Sequence, residues 1–370
     1  MDKNSKIRIG IVGLGRGNGF IRLLLDMPET ELAAICDMNA RTVDYRRAKN
    51  NVPDSVRGYT DFDEMIENED LDAVFVATPI RMHFSQARKA LEHDLHVLGE
   101  VPAVYSVEEA KQLTEAAVKS KGSYMIAENA NYFKFNLMVN EMARAELFGD
   151  IYYAEAEYLH DLKSLNSAWR YDSLYGRNGI VYGTHSLGPV LSWMRGDRVK
   201  SVSCAGSGRH FNDLSGKPFE LEDTCVMMCR TEMERLIKIR IDFVSPRPCM
   251  NRYQLQGTRG AYESQYHALD IHKVAFADEK AECGEWTNLF DHEDRYFPEK
   301  YKAAEATAQS LGHDGADYFM LIDYIDSLYN GKPLPMDIHQ SLDMTLPGLI
   351  SEQSIANGGI WLDVPDSRSW

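Results

Sequence analysis

The stretch Ile7-Arg-Ile-Gly-Ile-Val-Gly13-Leu-Gly15-Arg-Gly17-Asn-Gly19 sets the expectation for the fold. Its first six residues are mostly aliphatic and predict a buried strand, and the glycines that follow open a helix. In such a strand–turn–helix, Gly13 allows the tight turn and Gly15 lets the backbone approach a pyrophosphate. The helix N-terminus offers unpaired N–H groups to that anion. The stretch therefore predicts a dinucleotide-binding site of the Rossmann type.

The third glycine of the common GxGxxG pattern is missing from this loop. Asn18 occupies its position, and Gly17 and Gly19 on either side of it are candidates for the close helix packing that the third glycine provides. Arg16 lies inside the loop and is a further candidate for contact with the dinucleotide. The pattern is therefore incomplete, but it has the strand before it and the helix after it that the site requires.

A carboxylate at the end of the next predicted strand indicates which dinucleotide binds. Asp37 stands 37 − 15 = 22 residues beyond Gly15. A carboxylate at this place accepts hydrogen bonds from the ribose and repels the 2′-phosphate of NADP, so we expect NAD. Arg41 argues the other way, because an arginine can pair with that phosphate. An alternative role for Asp37 is to cap the following helix.

Strands and helices are predicted to alternate up to about residue 128, which implies a doubly wound parallel sheet with helices on both faces. Beyond residue 130 strands follow one another. In Leu236–Phe243 isoleucines alternate with charged residues, which is typical of a mainly antiparallel sheet with one wetter face. We predict an α/β protein with a Rossmann domain over 1–128 and a second α/β domain over 129–370. Residues 263–315 have few clear periods and are predicted to form an insertion or lid.

The composition restricts the partners and the compartment. The 370 residues carry a formal net charge of −16, which disfavours binding to nucleic acid or to an anionic membrane surface. No apolar run approaches the ~20 residues of a membrane span, and the N-terminus lacks the pattern of an export signal. The six cysteines form no spacing that predicts a metal site. We expect a soluble cytoplasmic protein without a metal.

Two motifs of the first domain resemble the Gfo/Idh/MocA family (glucose–fructose oxidoreductase/inositol dehydrogenase). They are Val74–Pro79 with His83, and His96-Val-Leu-Gly-Glu-Val-Pro102; Gly257–Gly260 extends the resemblance into the second domain. The resemblance implies a Rossmann domain followed by an α/β domain with an open antiparallel sheet that commonly forms oligomers, so we expect a homodimer or tetramer. The residues that it places beside the cofactor are Thr78, Pro79, His83, Glu100 and Pro102.

The sequence departs from this family at two positions. The family's Glu-Lys-Pro motif supplies a catalytic lysine, but Val101 stands there. The second-domain motif keeps its histidine as His185, whereas its aspartate is replaced by Val181. A dehydrogenase needs a tuned base to remove a hydroxyl proton as the hydride leaves. The losses make an ordinary alcohol dehydrogenase a weaker expectation.

Other segments resemble the NAD-dependent α-N-acetylgalactosaminidase family of glycoside hydrolases. They are Trp169–Arg170, Tyr182-Gly-Thr-His-Ser-Leu-Gly-Pro189, Glu155–Asp161 and Ser245–Pro248. In that family an arginine, a tyrosine and a histidine in this order line the sugar site, so a small sugar or glycoside is the expected substrate. Gly183 departs from the family's usual proline. Without an export signal, the expected substrates are imported or intracellular glycosides.

The narrower resemblance implies a redox glycosidase. NAD oxidises the sugar at carbon 3, a base removes the proton on carbon 2, the anomeric group is eliminated, water adds and the hydride returns. His185 would manage the carbon 3 hydroxyl proton, and Tyr158 or Tyr182 would be the carbon 2 base. Because a phenol titrates near ~10, the base needs a cation, and Arg170 is the candidate.

Each assignment has an alternative. His185 could be a core histidine at a helix start, and either tyrosine could be an aromatic at the edge of the core. Glu128 follows the strand Tyr124–Ala127 and would reach the cofactor or cap that strand in solvent. At the level of function, the alternatives are an NAD-dependent sugar or cyclitol dehydrogenase and a non-catalytic regulator that senses NAD or a sugar.

Overall fold

A computed structural model describes residues 6–161, 177–212, 216–265, 271–277, 282, 284–308 and 313–370. The chain forms two compact units. The first comprises Met1–Ala127, Thr307–Leu342 and Ser367–Trp370, and the second comprises Glu128–Ala306 and Asp343–Asp366. No helix in the described ranges is long and apolar enough to cross a membrane.

The first unit contains a six-stranded parallel sheet. Its strands are β1 Ile7–Val12, β2 Thr30–Cys36, β3 Arg57–Tyr59, β4 Ala73–Val76, β5 His96–Gly99 and β6 Tyr124–Ile126. They lie in the order β3-β2-β1-β4-β5-β6, and every neighbouring pair is parallel. The order reverses between β1 and β4, and at such a switch point α/β sheets bind ligands at the carboxyl ends of their strands. The predicted doubly wound Rossmann sheet is confirmed.

Amphipathic helices cover this sheet. They are Asn18–Asp26, Ala40–Lys49, Phe62–Asn68, Ile80–Glu92, Val107–Lys119 and Ala316–Asn330. All four residues of β4 are buried, so a continuous apolar run there reads as a strand covered on both faces. The last helix comes from a distant part of the chain, because residues 307–342 belong to this unit.

The second unit contains a nine-stranded sheet. Its strands are β7 Ile151–Leu159, β8 Val199–Gly206, β9 Thr224–Thr231, β10 Leu236–Asp242, β11 Met250–Gly257, β12 Gly260–Gln265, β13 Ile271–Phe276, β14 Thr287–Asn288 and β15 Leu362–Asp363. They lie in the order β14-β13-β12-β11-β7-β10-β9-β8-β15. Among the strands that the structure describes, β7 and β10 alone pair in parallel, so the sheet is mainly antiparallel, as predicted.

The two faces of this sheet differ as the alternation in β10 predicts. Ile237, Ile239 and Ile241 are buried on one face, where Ala154 and Ala156 of β7 lie beside them. Half-buried charged side chains occupy the other face. The helices of the unit are Lys134–Arg144, Thr184–Trp193, Glu293–Tyr296, Glu299–Lys302 and Glu305–Ala308. The helix Ile338–Ala356 begins in the first unit, and its residues from 343 onward belong to the second.

The structure departs from the predicted organisation in two ways. Residues 263–265 and 271–276 belong to β12 and β13 rather than to an insertion or lid; the polar residues Ser264 and His272 at buried positions interrupt the apolar face of these strands. The second segment is also not continuous, because 307–342 and 367–370 pack with the first unit. There the Ser341 hydroxyl accepts a hydrogen bond from the Ile126 N–H at 3.1 Å.

Candidate functional site

The glycine loop after β1 has the shape that a dinucleotide requires. Gly13 has a φ of +91°, and a Cβ there would lie 2.5 Å from the backbone of Ala77. A Cβ on Gly17 would lie 2.6 Å from the side chain of Ile11, so Gly17 provides the close helix packing that the missing third glycine would give. A Cβ on Gly15 would meet nothing within 4 Å. Open space beside this residue is where a backbone can approach a pyrophosphate.

The other predicted loop residues have partners within the first unit. Asn18 begins the helix and accepts a hydrogen bond from Asn50 Nδ2 at 3.0 Å. Arg16 pairs bidentately with Asp317 at 2.7 Å and places its Nε 2.7 Å from Glu100. The carboxylate of Glu100 thus contacts the loop arginine, and its contact with the cofactor stays a prediction.

Asp37 lies half-buried at the carboxyl end of β2. One carboxylate oxygen accepts from the Leu14 N–H and the other from the Asn39 N–H, both at 3.0 Å. The first of these bonds ties the carboxylate to the glycine loop. The alternative that Asp37 caps the next helix is wrong, because the cap of Ala40–Lys49 is Asn39.

The remaining predicted cofactor residues follow β4 and β5 at the same edge of the sheet. Pro79 caps the helix Ile80–Glu92, and the Thr78 hydroxyl donates to Gln86 Oε1 at 2.6 Å. His83 is buried, with Nδ1 2.9 Å from the Pro102 carbonyl oxygen and Nε2 2.8 Å from that of Thr78. Its ring therefore ties these two loops together, and the contact of His83 with the cofactor stays a prediction.

The first unit fits NAD on its own geometry. The loop glycine that faces open space, the carboxylate of Asp37 and the loops after β4 and β5 all lie at the carboxyl edge where the strand order reverses. Among the described residues, no group of three or more His, Cys, Asp or Glu side chains is arranged to hold a metal ion.

The second unit brings three of the predicted catalytic rings together. Tyr158 near the end of β7 lies 5.2 Å from His185 and 5.9 Å from Tyr182, measured between ring centroids. Tyr182 and His185 lie 5.4 Å apart, edge to face. His185 is in the first turn of the helix Thr184–Trp193, which packs on the buried face of the sheet. Phe243 closes one side, 6.2 Å from Tyr158.

Glu128 contacts His185 in this cluster. Its Oε1 lies 2.6 Å from His185 Nδ1 and also accepts from the Ala130 N–H at 3.0 Å. Glu128 is fully buried, and its Oε2 has no hydrogen-bond partner among the described residues. Solvent capping is therefore wrong for Glu128, which contacts His185, and its cofactor contact stays a prediction.

Two further residues hold this pair in place. The hydroxyl of Tyr253, on β11, donates to the His185 carbonyl at 2.7 Å. A Cβ on Gly188 would lie 2.8 Å from Glu128 Cγ, so a glycine there lets the helix approach the glutamate. Because a carboxylate accepts at Nδ1, the proton of a neutral imidazole resides on that nitrogen, and Nε2 is the atom that can accept another.

Two positions depart from the relatives' chemistry, and one lies outside the structure. Val101 and Val181 are both buried, and a valine side chain can neither donate nor accept a proton. Arg170 lies outside the described residues. The ring of His160 lies 5.6 Å from that of Tyr158.

Comparison with known families identifies the chain. The family described as "Glycosyl hydrolase 109, C-terminal domain" matches residues 132–369, which is more than half of the chain. The chain belongs to the glycosyl hydrolase 109 family. Residues 7–128 match "Oxidoreductase family, NAD-binding Rossmann fold", the Gfo/Idh/MocA family. Both resemblances are thereby confirmed: this glycosyl hydrolase 109 member is an NAD-dependent enzyme of the Gfo/Idh/MocA type that acts on sugars.

The chain is similar over nearly its whole length to curated relatives. A glycosyl hydrolase family 109 protein of Shewanella woodyi is 29% identical, with 98% of this chain and 85% of the relative covered. A protein of Shewanella oneidensis named alpha-N-acetylgalactosaminidase is also 29% identical, with the same coverage. Among solved structures, a levoglucosan dehydrogenase in complex with NADH and L-sorbose has a TM-score of 0.82 at 18% identity, covering 98% of this chain and 100% of that one. This last likeness concerns the fold.

Sequence reasoning missed two residues and one pairing of these clusters. Asp317 lies 301 residues from Arg16, and no local pattern links them. Tyr253 looks like any aromatic of a strand. The pairing of Glu128 with His185 spans 57 residues, although the glutamate follows a parallel strand directly, which is a position typical of functional groups.

Proposed function

We propose that this protein is a redox-neutral glycosidase, in which the sugar is oxidised at carbon 3, loses its anomeric group by elimination, is hydrated and is reduced again. The observation that carries the proposal is the packing of His185 with Tyr158 and Tyr182 above a buried glutamate. Cofactor binding is proposed for the first compact unit and substrate binding for the second. NAD, when bound, accepts the hydride from carbon 3 and returns it at the end of the cycle.

His185 is proposed to take the proton of the carbon 3 hydroxyl through Nε2. Glu128 at Nδ1 stabilises the imidazolium that forms, because the positive charge then faces a buried carboxylate. Val101 stands where the family has a catalytic lysine and carries no ionisable group, so we assign this proton to the histidine and its glutamate.

One of the two tyrosines is proposed to remove the proton on carbon 2. The ketone at carbon 3 acidifies that proton, and a phenolate is a strong enough base to take it. A nearby cation must lower the phenol pKa for this purpose, and His185 in its charged form and Arg170 are the candidates. Tyr158 is half-buried and Tyr182 is buried, so either oxygen can be withdrawn from bulk water.

Gly13, Gly15, Gly17 and Asp37 are proposed to hold the dinucleotide. The first three shape the loop, and the carboxylate accepts from the ribose hydroxyls. We further propose that Thr78, Pro79 and Pro102 line this edge of the sheet.

The substrate class is proposed to be α-linked N-acetylgalactosamine, because a relative of nearly equal length carries the name alpha-N-acetylgalactosaminidase. The proposal covers glycosides that reach the cytoplasm. We also propose a homodimer or tetramer that forms through the half-buried face of the second sheet, where Lys238 pairs with Glu155 at 3.0 Å and Arg252 with Glu263 at 3.0 Å. Light scattering in low and high salt tests this assembly.

The test uses the purified holoenzyme with a panel of aryl α- and β-glycosides that includes the α-N-acetylgalactosaminide. Aglycone release and absorbance at the NADH band are followed together. Aglycone release without net NADH supports the proposal. NADH accumulation with a free sugar or inositol would instead identify a sugar or cyclitol dehydrogenase. Sugar binding without either signal would identify a regulator.

A further inference from the structure

Arg16 is held by two carboxylates from distant parts of the first unit. Its Nη1 and Nη2 donate to the two oxygens of Asp317, each at 2.7 Å, and its Nε lies 2.7 Å from Glu100 Oε1. A fork of this kind fixes the direction of a guanidinium as well as its distance. Both terminal guanidinium nitrogens are therefore hydrogen-bonded, Nε is in ion-pair contact with Glu100, and the side chain is only 19% exposed.

The charges of this cluster argue for a mechanical role. Two carboxylates meet one guanidinium, so the arginine does not offer an uncompensated positive charge to a phosphate. Arg16 stands between Gly15 and Gly17, which have no side chains to fix the loop, and the Arg16 carbonyl accepts from the Gly19 N–H at 3.2 Å. Between these two glycines, Arg16 is thus the side chain that ties the loop to Asp317 and Glu100.

A turn of unusual backbone delivers Asp317 to this position. His313, Asp314 and Gly315 all have left-handed φ values of 53°, 52° and 84°, and the helix Ala316–Asn330 begins directly after them. His313 Nδ1 lies 2.9 Å from Asp317 Oδ2. Two successive non-glycine residues in this region carry strain that persists only where the surrounding contacts hold it.

The Asp317 carboxylate is charged in this setting. Burial acts to raise its pKa, but hydrogen bonds from His313 and Arg16 and their charges outweigh burial and hold the pKa well below its ordinary value. The ion pair with Arg16 is therefore intact at neutral pH.

We propose that Asp317 is a positioning residue for NAD. By holding Arg16 it keeps the glycine loop in the form that grips the dinucleotide, and it thereby slows release of NAD. Retention suits an enzyme that ends each cycle with the cofactor as it began. The inference rests on NAD binding alone, and it is measured without any sugar, so its failure is distinct from failure of the proposed glycosidase chemistry.

The test compares the wild type with Asp317→Asn. NAD retained through purification, its dissociation rate and its Kd are measured by chromatography, trapping and calorimetry. We expect dissociation to become tenfold or more faster, with kcat at saturating NAD within threefold of the wild type. Asp317→Glu, which keeps the charge, should restore part of the retention. Asp326→Asn is the matched control on the same helix, because Asp326 pairs with Lys332 at the surface.

A double-mutant cycle separates positioning from general destabilisation. With Arg16→Leu already present, Asp317→Asn should change NAD dissociation by less than twofold, because the contact through which it acts is gone. Thermal unfolding of the NAD-free variants reports stability separately. The proposal is overturned if Asp317→Asn alone leaves dissociation within twofold of wild type, or if it has the same effect with and without Arg16. If Asp317→Asn does not fold, the same cycle is run with Asp317→Glu in its place, with and without Arg16→Leu.

Discussion

Each compact unit places at least one buried carboxylate against a nitrogen-containing side chain, but the two side chains differ in whether they readily lose a proton. In the first unit Asp317 and Glu100 hold Arg16, which stays charged at any physiological pH. In the second unit Glu128 holds His185, whose imidazole can both take up and give up a proton. Because the partner of the carboxylate differs, a similar geometry serves two purposes: the arginine cluster fixes a loop, whereas the histidine cluster can move a proton.

The surroundings of the two clusters support this distinction. Arg16 contacts its partners through three nitrogens and lies over the ring of Phe20 at 5.0 Å, an arrangement that restrains it. His185 shares its surroundings with two tyrosines whose hydroxyls can themselves donate and accept protons. Chemistry is therefore expected to depend on the second cluster, and cofactor retention on the first.

The largest expected effect comes from His185→Ala. Loss of the general base should lower kcat by about 10²–10⁴-fold. NAD affinity should be unchanged, which calorimetry checks. His210→Ala is the matched control, because His210 also contacts a carboxylate, Asp223 at 2.7 Å, but is mostly exposed. A kcat for His185→Ala within tenfold of wild type would remove the histidine from the chemistry.

The next effect separates the two tyrosines. Tyr158→Phe and Tyr182→Phe both keep their rings, but the variant that lacks the carbon 2 base should lose about 10²-fold in kcat and lose solvent exchange at carbon 2. Tyr153→Phe, whose residue points to the opposite face of β7, is the control. If both cluster variants exchange carbon 2 at the wild-type rate, neither phenol is the base.

Glu128→Gln tests whether the buried carboxylate beside His185 contributes to catalysis or only to stability. Loss of the charge opposite the imidazolium should lower kcat by about 10–100-fold, from the ~1.5–3 kcal/mol of a charged hydrogen bond. The melting temperature should not fall, because the substitution removes a buried charge whose Oε2 has no partner among the described residues. A loss of stability with unchanged kcat would make Glu128 a structural residue only.

Asp37→Asn addresses selection of the cofactor. The amide no longer repels a 2′-phosphate and accepts more weakly from the ribose, so the preference for NAD over NADP should fall by about tenfold. Kd values for both dinucleotides measure the change. An unaltered ratio would mean that selection lies elsewhere in the first unit.

The smallest effect is on stability in acid. Because the folded-state pKa of Asp317 lies below its ordinary value of ~3.9, its contribution is present above that pH and is lost as pH falls toward the folded pKa. The difference in unfolding free energy between the wild type and Asp317→Asn should therefore be constant at neutral pH and shrink below about pH 4. Chemical denaturation along a pH series measures it, and a difference that grows in acid would contradict the ion pair.

Local patterns made the first unit predictable from sequence. The glycine loop and Asp37 belong to neighbouring elements whose chemistry shows in a short stretch, and the parallel sheet follows from the alternation of strands with helices. Strands β12 and β13 were missed because charged and polar residues interrupt their apolar face. The links of Arg16 to Asp317 and of His185 to Glu128 could not be predicted, since they depend on packing between residues far apart in the chain.

Turnover of an aryl glycoside in deuterated water, with mass analysis of the released sugar, tests the elimination and hydration steps directly. Elimination and hydration require the proton on carbon 2 to be removed and replaced. For a redox-neutral glycosidase we expect one deuterium at carbon 2 in every product molecule, with no net NADH. Aglycone release with carbon 2 left unlabelled would contradict it and would indicate direct displacement at the anomeric carbon.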